Sequence, residues 1–467
     1  MDEYASAVDT AAAIRAKEVS PLEVLDAALA RVDARDPELN ALIWRNDEEA
    51  RTAARALGER ITAGADDLGP FAGVPVPVKD LIEVAGQPNT NGSWGTADGP
   101  MTETDLAPQA YLDAGFILCG RTNTPEFGSI SVTENLRFGA TRNPWDTGHT
   151  PGGSSGGAGA VVAAGMFPVA YASDGGGSIR IPASCCGLVG HKASRGRVPD
   201  RYPHWAGLST EGAVTRTVAD AAAVLDVLSR RDPLAWWSPP TQERPFADEV
   251  GADPGRLRIA VLTVSAIGVE VAPEPLAAVE AAAALLSSLG HEVVHLDADL
   301  FDPAGLGDFL NLMNAGMADH GGLDPDRIEP HNRAAYDAAR AVDSLTYTQS
   351  LMALQLQSRD VVARFGTEFD LLLTPTMAIE PPPVGLLAAV HAQPEFPPLE
   401  IIAMAAFTAL YNITGQPAVS LPLHVAPSGL PVGVQLVAGP WQDGVLFRVA
   451  AQLEAAAPWA DRYPFGA

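Results

Sequence analysis

The sequence predicts an α/β fold: a single large domain in which a central mixed β-sheet carries helices on both faces. Residues 256–296 alternate a strand (RIAVLTV), an alanine-rich helix (Pro273–Leu289) and a second strand (EVVHL), which is the pattern of a β-α-β unit. Two more short apolar runs, around FILC at 115–120 and at 370–374, are typical of buried strands. No break divides the 467 residues into independent halves, so we expect one domain.

The first 65 residues are predicted to be helical scaffold. Apolar residues recur at i, i+3 and i+4 within Ala11–Lys17 and Leu22–Arg35, the spacing of one helix face. The dipeptide Ser20-Pro21 is a helix start, with serine as the N-cap and proline in the first turn. A third, alanine-rich helix is expected at Glu48–Arg60.

Residues 66–200 contain the segments that carry chemistry, and the first of them ends at Lys79. The run LGPFAGVPVPVKDLI at 68–82 predicts a short strand that its prolines confine to a sheet edge or a strand start. The chain has three lysines against 27 arginines. Arginine stays protonated in proteins, whereas burial can lower the pKa of lysine until the amine is neutral. Lys79 is therefore the candidate proton acceptor.

Two glycine-flanked serine clusters follow, GGSSGG at 152–157 and DGGGSIR at 174–180, with an apolar, alanine-rich segment between them. Glycine at this density is used where backbone must approach something closely or adopt a positive φ. Free N–H groups beside a serine suit an oxyanion site. A flexible linker is disfavoured because the apolar run SIRIPASCCGLVG continues from the second cluster. A helix and a strand between the serines would bring both loops to one sheet edge, and we expect the same sheet to bring the loop of Lys79 to them.

These segments resemble the signature of the amidase signature family of serine hydrolases. The resemblance covers Pro21 to about Leu453, and its motifs are GVPVPVKD at 73–80, GRTNTPEFG at 120–128, ATRNPW at 140–145, GGSSGG at 152–157, DGGGSIRIPAS at 174–184, CGLVG at 186–190 and NITGQPAVSLP at 412–422. It implies the same single α/β domain. It also implies a nucleophile at Ser178, a bridging serine after a cis peptide bond at Ser154, and a base at Lys79.

The resemblance implies further roles around the nucleophile. The expected oxyanion donors are the N–H groups of Gly175, Gly176, Gly177 and Ser178. The expected supporting residues are Ser155, Ser173, Asp174 and Arg180. The chain departs from the family at Ser173, where threonine is frequent, at Gly175, where a larger side chain is usual, and at 192–194, where Lys-Ala-Ser replaces Lys-Pro-Thr. The missing side chain at Gly175 leaves the rigidity of the oxyanion loop open.

The substrate is expected to be a neutral aryl or aliphatic amide, and carbamates are a second expected class. A polar loop at 86–108, the loop after the strand at 115–120, and the helical and loop region 201–345 are predicted to surround the pocket, with 346–467 completing the core. The candidate substrate contacts are Trp94, Gly128, Ser129, Tyr202, Trp205 and Met313. The aromatic and methionine side chains of this set would form an apolar pocket wall, which binds aryl or alkyl groups and contributes little to holding a carboxylate.

Composition limits the partners. A net charge of −27 argues against nucleic acid and anionic membranes, which need clustered Lys and Arg. No apolar run reaches about 18 residues and the N-terminal residues do not resemble an export signal, so we expect a cytoplasmic protein, monomeric or homodimeric. No cofactor and no metal are expected. The three cysteines, Cys119, Cys185 and Cys186, are expected to be buried.

Two other functions fit parts of the sequence. Ser155 sits at the centre of a formal G-x-S-x-G motif, as in α/β-hydrolases, but the preceding NPWDTGHTPG is no strand. A non-catalytic or tRNA-amidotransferase-type subunit of the same fold is the other alternative. Lys79, Ser154 and Ser178 are all present and the surface is acidic, and both facts disfavour that alternative.

Overall fold

The computed structural model describes residues 2–202, 204–235, 237–298, 300–395 and 397–465. The helices are α1 (Ala7–Arg15), α2 (Pro21–Leu39), α3 (Asp47–Thr62), α4 (Leu106–Asp113), α5 (Gly156–Ala163), α6 (Arg180–Cys186), α7 (His204–Gly207), α8 (Val218–Leu228), α9 (Pro273–Ser288), α10 (Gly305–Ala318), α11 (Pro330–Ala341), α12 (Ser344–Val362), α13 (Leu386–Ala392), α14 (Leu399–Ala405), α15 (Ala409–Thr414) and α16 (Asp443–Ala456). The strands are β1 (Leu42–Trp44), β2 (Pro75–Lys79), β3 (Ile117–Thr122), β4 (Glu134–Asn135), β5 (Gly139–Ala140), β6 (Val169–Asp174), β7 (Val189–Lys192), β8 (Thr210–Thr215), β9 (Arg258–Val261), β10 (Glu292–His295), β11 (Leu371–Pro375), β12 (Ala418–Val425) and β13 (Pro431–Ala438).

The larger sheet is mixed, as predicted. Over the described residues it has eight strands in the order β10-β9-β11-β13-β12-β7-β8-β6. The pairs β10/β9 and β9/β11 are parallel, and β9, α9 and β10 form the predicted β-α-β unit. The remaining neighbours, from β11/β13 to β8/β6, are antiparallel.

Helices cover both faces of this sheet. Along β13, Val434 and Leu436 point into the cluster that includes α9 and α16. The alternate residues of β13 face the other way: Gly433 lies against Ser184 of α6, and Gln435 accepts a hydrogen bond from Arg180. This alternation, which follows from the two-residue period of a strand, confirms the predicted layered α/β architecture.

Lys79 ends an edge strand, as the prolines predicted, but in a separate sheet. A three-stranded sheet has the order β1-β3-β2, with β2 parallel to β3 and Lys79 as its last residue. The other side of β2 lies beside β6, the edge of the larger sheet. Pro75 and Pro77 lack N–H groups and cannot donate to a second neighbour. The expectation that one sheet carries all three catalytic loops was therefore wrong.

The alanine-rich segment between the serine clusters is the buried helix α5. Every residue of α5 is buried, and its small side chains allow close approach. A Cβ on Gly157 would lie 2.5 Å from the backbone nitrogen of Asn123, and one on Gly156 would collide with the Thr133 side chain. Because α5 begins at Gly156, this close packing fixes the position of Ser154 and Ser155 immediately before it.

Several local predictions need correction. The prolines of the segment 381–398 predict a loop, but α13 forms within it because 386–392 lack proline and bury Leu387 and Val390, spaced i and i+3. Strand β8 was missed, since TEGAVT alternates weakly. Its pairing with both β6 and β7 overrides that weak local signal. Over the part of the chain that is described, no helix has both the length and the apolar character needed to cross a membrane.

Candidate active site

Lys79 and Ser154 are joined by a direct hydrogen bond at the boundary between the two sheets. Lys79 Nζ donates to Ser154 Oγ at 2.8 Å and to Ser173 Oγ at 3.1 Å. The Lys79 side chain is fully buried and Ser154 is 2% exposed. The hydroxyl of Ser173, where the family often has threonine, therefore takes part in holding the amine.

The loop that carries Ser154 has the backbone geometry that the resemblance implied. The peptide bond between Gly153 and Ser154 is cis. Gly128, at φ +68°, approaches so closely that a Cβ there would lie 3.0 Å from Ser154 Oγ. Gly128 was predicted to offer backbone contacts to the substrate, but its N–H donates to Pro125 O at 2.9 Å, which leaves its carbonyl for such a contact.

Ser155 braces the site. Its N–H donates to the carbonyl of Ser178 at 3.3 Å, and its hydroxyl donates to the carbonyl of Ser173 at 3.2 Å. The Ser155 side chain is fully buried. A buried hydroxyl that ties two loops together is poorly placed to attack a substrate, so the G-x-S-x-G alternative loses its nucleophile.

An ion pair inside the second serine cluster holds the loop that ends at Ser178. Arg180 donates through Nε and Nη2 to both carboxylate oxygens of Asp174, at 2.9 and 2.8 Å, and both side chains are fully buried. Burial alone would raise the pKa of Asp174, but the Arg180 guanidinium, together with the Lys192 charge and a hydrogen bond from Asn412, holds that pKa below its ordinary value. The paired carboxylate also accepts the N–H groups of Gly177 at 2.8 Å and Ile179 at 3.2 Å.

These contacts divide the four predicted oxyanion donors. The N–H of Gly177 is used by Asp174, and Gly177 adopts φ +128°, so it shapes the turn and is removed from the donor set. Within the described residues, no hydrogen bond engages the N–H groups of Gly175, Gly176 or Ser178. Three donors on one short turn remain available for a developing negative charge.

Ser178 lies on this turn with a partly exposed side chain. Among the described residues, no hydrogen bond joins its Oγ to Ser154 or to any other group. Such bonds in unliganded enzymes are often long and tighten only in the substrate complex. The backbone link from Ser155 to Ser178 holds the two serine loops against each other.

Lys79 has a carboxyl neighbour that sequence reasoning missed. Burial lowers the pKa of Lys79 to about 7, and the charges of Glu211 and Asp174 oppose that shift. Burial also raises the pKa of Glu211, to about 7. Glu211 lies on β8, is 6% exposed, and accepts a short hydrogen bond from the Tyr171 hydroxyl. The site therefore contains an amine that can be neutral near pH 7 beside a buried carboxyl group.

The side chain that Gly175 lacks is replaced by Trp205. A Cβ on Gly175 would lie 2.7 Å from Trp205 Cζ3, and one on Gly316 of α10 would collide with the same indole. The ring thus lies between the oxyanion loop and α10. The indole of Trp205 fills the space that a side chain at position 175 would occupy, and its packing against the loop limits the loop's freedom to move.

The other predicted substrate contacts differ in position. Met313 packs in the partly buried cluster that includes Trp205. Trp94 is 45% exposed, with its ring against the Arg137 guanidinium, and Tyr202 is 59% exposed. The hydroxyl of Ser129 donates to Glu126 O at 3.0 Å and lies 3.1 Å from His331 Nε2. In the structure, Trp205 with Met313 adjoins the serine turn, whereas no described contact joins Trp94 or Tyr202 to it.

Three further polar residues support the turn. Asn412 donates to the carbonyl of Asp174 at 2.8 Å, Thr408 donates to Gly176 O at 2.7 Å, and Gln435 accepts from Arg180 at 2.7 Å. Asn412 opens the NITGQPAVSLP motif, which was a usable signal. Nothing local marks Glu211, Thr408 or Gln435.

A second polar cluster lies outside these residues. Among the described side chains, Glu329, His331 and His391 come close enough together to hold a metal ion. Lys79, Ser154 and Ser178 are not among these three residues.

Comparison with known proteins agrees with this geometry. The profile of the Amidase family matches residues 23–447. The 6-aminohexanoate-cyclic-dimer hydrolase of Paenarthrobacter ureafaciens is 38% identical over 488 aligned positions, covering 99% of this chain and 97% of that protein. The putative amidase AmiC of Mycobacterium tuberculosis (strain ATCC 25618 / H37Rv) is 39% identical over 475 positions, covering 97% and 95%.

Solved structures show the same likeness. A 6-aminohexanoate cyclic dimer hydrolase complexed with its substrate superimposes with a TM-score of 0.93 at 36% identity, over 99% of both chains. A bacterial aryl acylamidase of the amidase signature family gives 0.88 at 29% identity, over 98% of this chain and 97% of that chain. The chain therefore belongs to the amidase family, whose members hydrolyse amide C–N bonds.

Proposed function

We propose that this chain hydrolyses a neutral amide through a covalent acyl-enzyme on Ser178. The observation that carries the proposal is the 2.8 Å hydrogen bond from buried Lys79 to Ser154, beside a turn with three unengaged N–H groups. A buried amine that can be neutral, a hydroxyl relay and an oxyanion site are the parts that acyl transfer needs.

The proposed cycle conserves protons. Ser154 Oγ accepts the proton of Ser178 while it passes its own proton to neutral Lys79, and Ser178 Oγ attacks the carbonyl carbon. The N–H groups of Gly175, Gly176 and Ser178 hold the oxyanion. The lysine proton returns through Ser154 to the leaving nitrogen, the C–N bond breaks, and an ester on Ser178 remains. Water, deprotonated along the same relay, cleaves the ester and restores the three side chains.

The proposed substrate carries apolar groups around an uncharged amide. Trp205 and Met313, packed beside the turn, support an apolar wall. The likeness to the cyclic dimer hydrolases over 99% of the chain makes a cyclic amide the second candidate. A carbamate is the third, because attack at its carbonyl would use the same nucleophile and would release the same nitrogen leaving group.

The nucleophile is tested by covalent labelling. A fluorophosphonate should label Ser178, as located by peptide mapping, and Ser178→Ala should abolish both labelling and hydrolysis without changing the melting temperature. Ser288→Ala, at the end of α9, is the matched control and should keep both. Label on Ser155, or an active Ser178→Ala variant, would overturn the assignment.

The substrate class is tested by comparing kcat/KM for a nitroanilide, a neutral N-aryl carbamate, the 6-aminohexanoate cyclic dimer and malonamate. We expect the first three to exceed malonamate, because a charged carboxylate gains little from an apolar wall. A clear preference for malonamate would contradict the proposed wall. The order among the three neutral compounds decides between the candidate classes.

A further inference from the structure

Three side chains from two helices converge beside Ser129, outside the proposed catalytic residues. Glu329 immediately precedes α11, His331 lies in its first turn, and His391 lies in the last turn of α13. Glu329 Oε2 is 3.1 Å from His391 Nε2 and 3.7 Å from His331 Nδ1, and each of the three residues offers one ligand atom within 4.8 Å of those of the other two. The side chains are 3%, 18% and 7% exposed for Glu329, His391 and His331.

The hydrogen bonds of Ser129 determine which nitrogen of His331 carries the proton. The single Ser129 hydroxyl proton is donated to Glu126 O at 3.0 Å. At 3.1 Å, His331 Nε2 must then donate to that hydroxyl oxygen. His331 Nδ1 therefore presents a lone pair toward Glu329, and no described group donates a hydrogen bond to it. A buried lone pair that faces a carboxylate oxygen lacks a positive partner.

The surroundings of the cluster also lack positive charge. Glu126 Oε2 accepts the backbone N–H of Glu329 at 2.7 Å, so two buried carboxyl groups are neighbours. Among the described residues, no Lys or Arg forms an ion pair with Glu126 or Glu329.

We propose that Glu329, His331 and His391 bind one divalent transition-metal ion of the zinc type. Ligand bonds of 2.0–2.2 Å in a tetrahedron place neighbouring ligand atoms about 3.3–3.6 Å apart, and two of the separations here are 3.1 and 3.7 Å. Two imidazoles and one carboxylate suit zinc, with water as the fourth ligand. The donation from His331 Nε2 to Ser129 is the outer contact that orients a metal-bound histidine.

The ion would have a structural role and would take no part in catalysis. It would tie α11 and α13 to the segment containing Ser129 and its neighbour Gly128, which contacts Ser154. Metal that binds the folded chain and not the unfolded chain raises the melting temperature. None of the proposed catalytic steps uses this ion, so the inference stands whether or not Ser178 is the nucleophile.

The test uses untagged, EDTA-treated full-length protein and zinc chloride alone. Calorimetric titration should show one saturable site per chain, and zinc should raise the melting temperature in a way that EDTA reverses. His391→Ala and His391→Gln should each weaken binding at least 100-fold and remove the zinc-dependent shift; circular dichroism checks that they fold. His391 is partly exposed, so both substitutions should be tolerated.

His424→Ala is the matched control. His424 Nε2 lies 3.2 Å from Glu274 Oε2, a histidine–glutamate pair without a described second imidazole in reach. This variant should bind zinc as the parent does. No saturable site in the parent, unchanged binding in both folded His391 variants, or loss of binding in His424→Ala would overturn the proposal.

Discussion

Replacing Glu211 by Gln should move the acidic limb of the pH–rate profile to lower pH. The proposed cycle needs neutral Lys79, so kcat/KM should rise with pH through the pKa of Lys79, which burial lowers to about 7. The Glu211 carboxylate favours the ammonium and raises that pKa. Gln keeps an acceptor for the Tyr171 hydroxyl but carries no charge, so the pKa of Lys79 should fall further.

The size of the shift follows from the state of Glu211 itself. A fully ionised neighbour shifts a pKa by about 1–3 units. Because burial raises the pKa of Glu211 to about 7, the carboxyl group is only partly ionised there, so we expect the lower end, about one unit. Because Glu211 is itself mostly protonated at about pH 6, one unit is the upper limit there, and the neutral fraction of the base grows from roughly one-tenth to at most about one-half. The variant should therefore be more active than the parent at that pH, by at most about five-fold relative to each plateau.

The assay is kcat/KM for one neutral anilide from about pH 5 to 9. Glu454→Gln is the control, since Glu454 is another mostly buried glutamate whose pKa is raised by burial and whose charge is not among those acting on Lys79. Its profile should match the parent. An acidic limb that stays in place or moves to higher pH in Glu211→Gln would refute the coupling between Glu211 and Lys79.

Three further predictions concern the neighbouring residues. Lys79→Arg should be as inactive as Lys79→Ala at any pH, because guanidinium stays protonated; a substantially active Arg variant would remove the base. Gly175→Val should lower kcat at least ten-fold by clashing with Trp205, and the added change Trp205→Ala should restore part of it, which a merely misfolded loop would not show. Arg180→Met leaves the buried Asp174 carboxylate without its positively charged partner, so the free energy of unfolding measured with denaturant should fall by about 3–5 kcal/mol; a loss below about 1 kcal/mol would contradict the role of the ion pair.

The sequence predicted the parts of the site that local chemistry specifies. Prolines before Lys79 indicated an edge strand, and glycines around Ser178 indicated a turn with free N–H groups; the structure has both. The sequence could not show which of these N–H groups already has a hydrogen-bond acceptor, because that depends on how the Asp174 side chain folds back onto Gly177. Glycine identity marks where a donor can lie and does not show whether another group already uses it.

Contacts that depend on pairing between distant segments lay beyond the sequence. Glu211 is one of six residues in TEGAVT, and it matters only because β8 pairs with β6, beside which β2 delivers Lys79. The three-stranded sheet could not be predicted for the same reason. The residues of β2 indicate a strand that ends at Lys79 but do not show which strand pairs with it. Similarly, Glu329 and His391 are 62 positions apart, and only the packing of α11 and α13 brings them together.

The departure at Gly175 links the proposed oxyanion turn to the proposed substrate wall. The indole of Trp205, which is 30 positions away along the chain, fills the space that a side chain at position 175 would occupy. The backbone of Trp205 is in a left-handed conformation, at φ 51°. The same indole packs with Met313 in the cluster next to the turn. One ring therefore packs against the turn whose N–H groups are proposed to hold the oxyanion, and it also faces the side where apolar substrate groups are proposed to bind. Substitutions at Trp205 should consequently change kcat and KM together, whereas a residue that only lined the pocket would change KM alone.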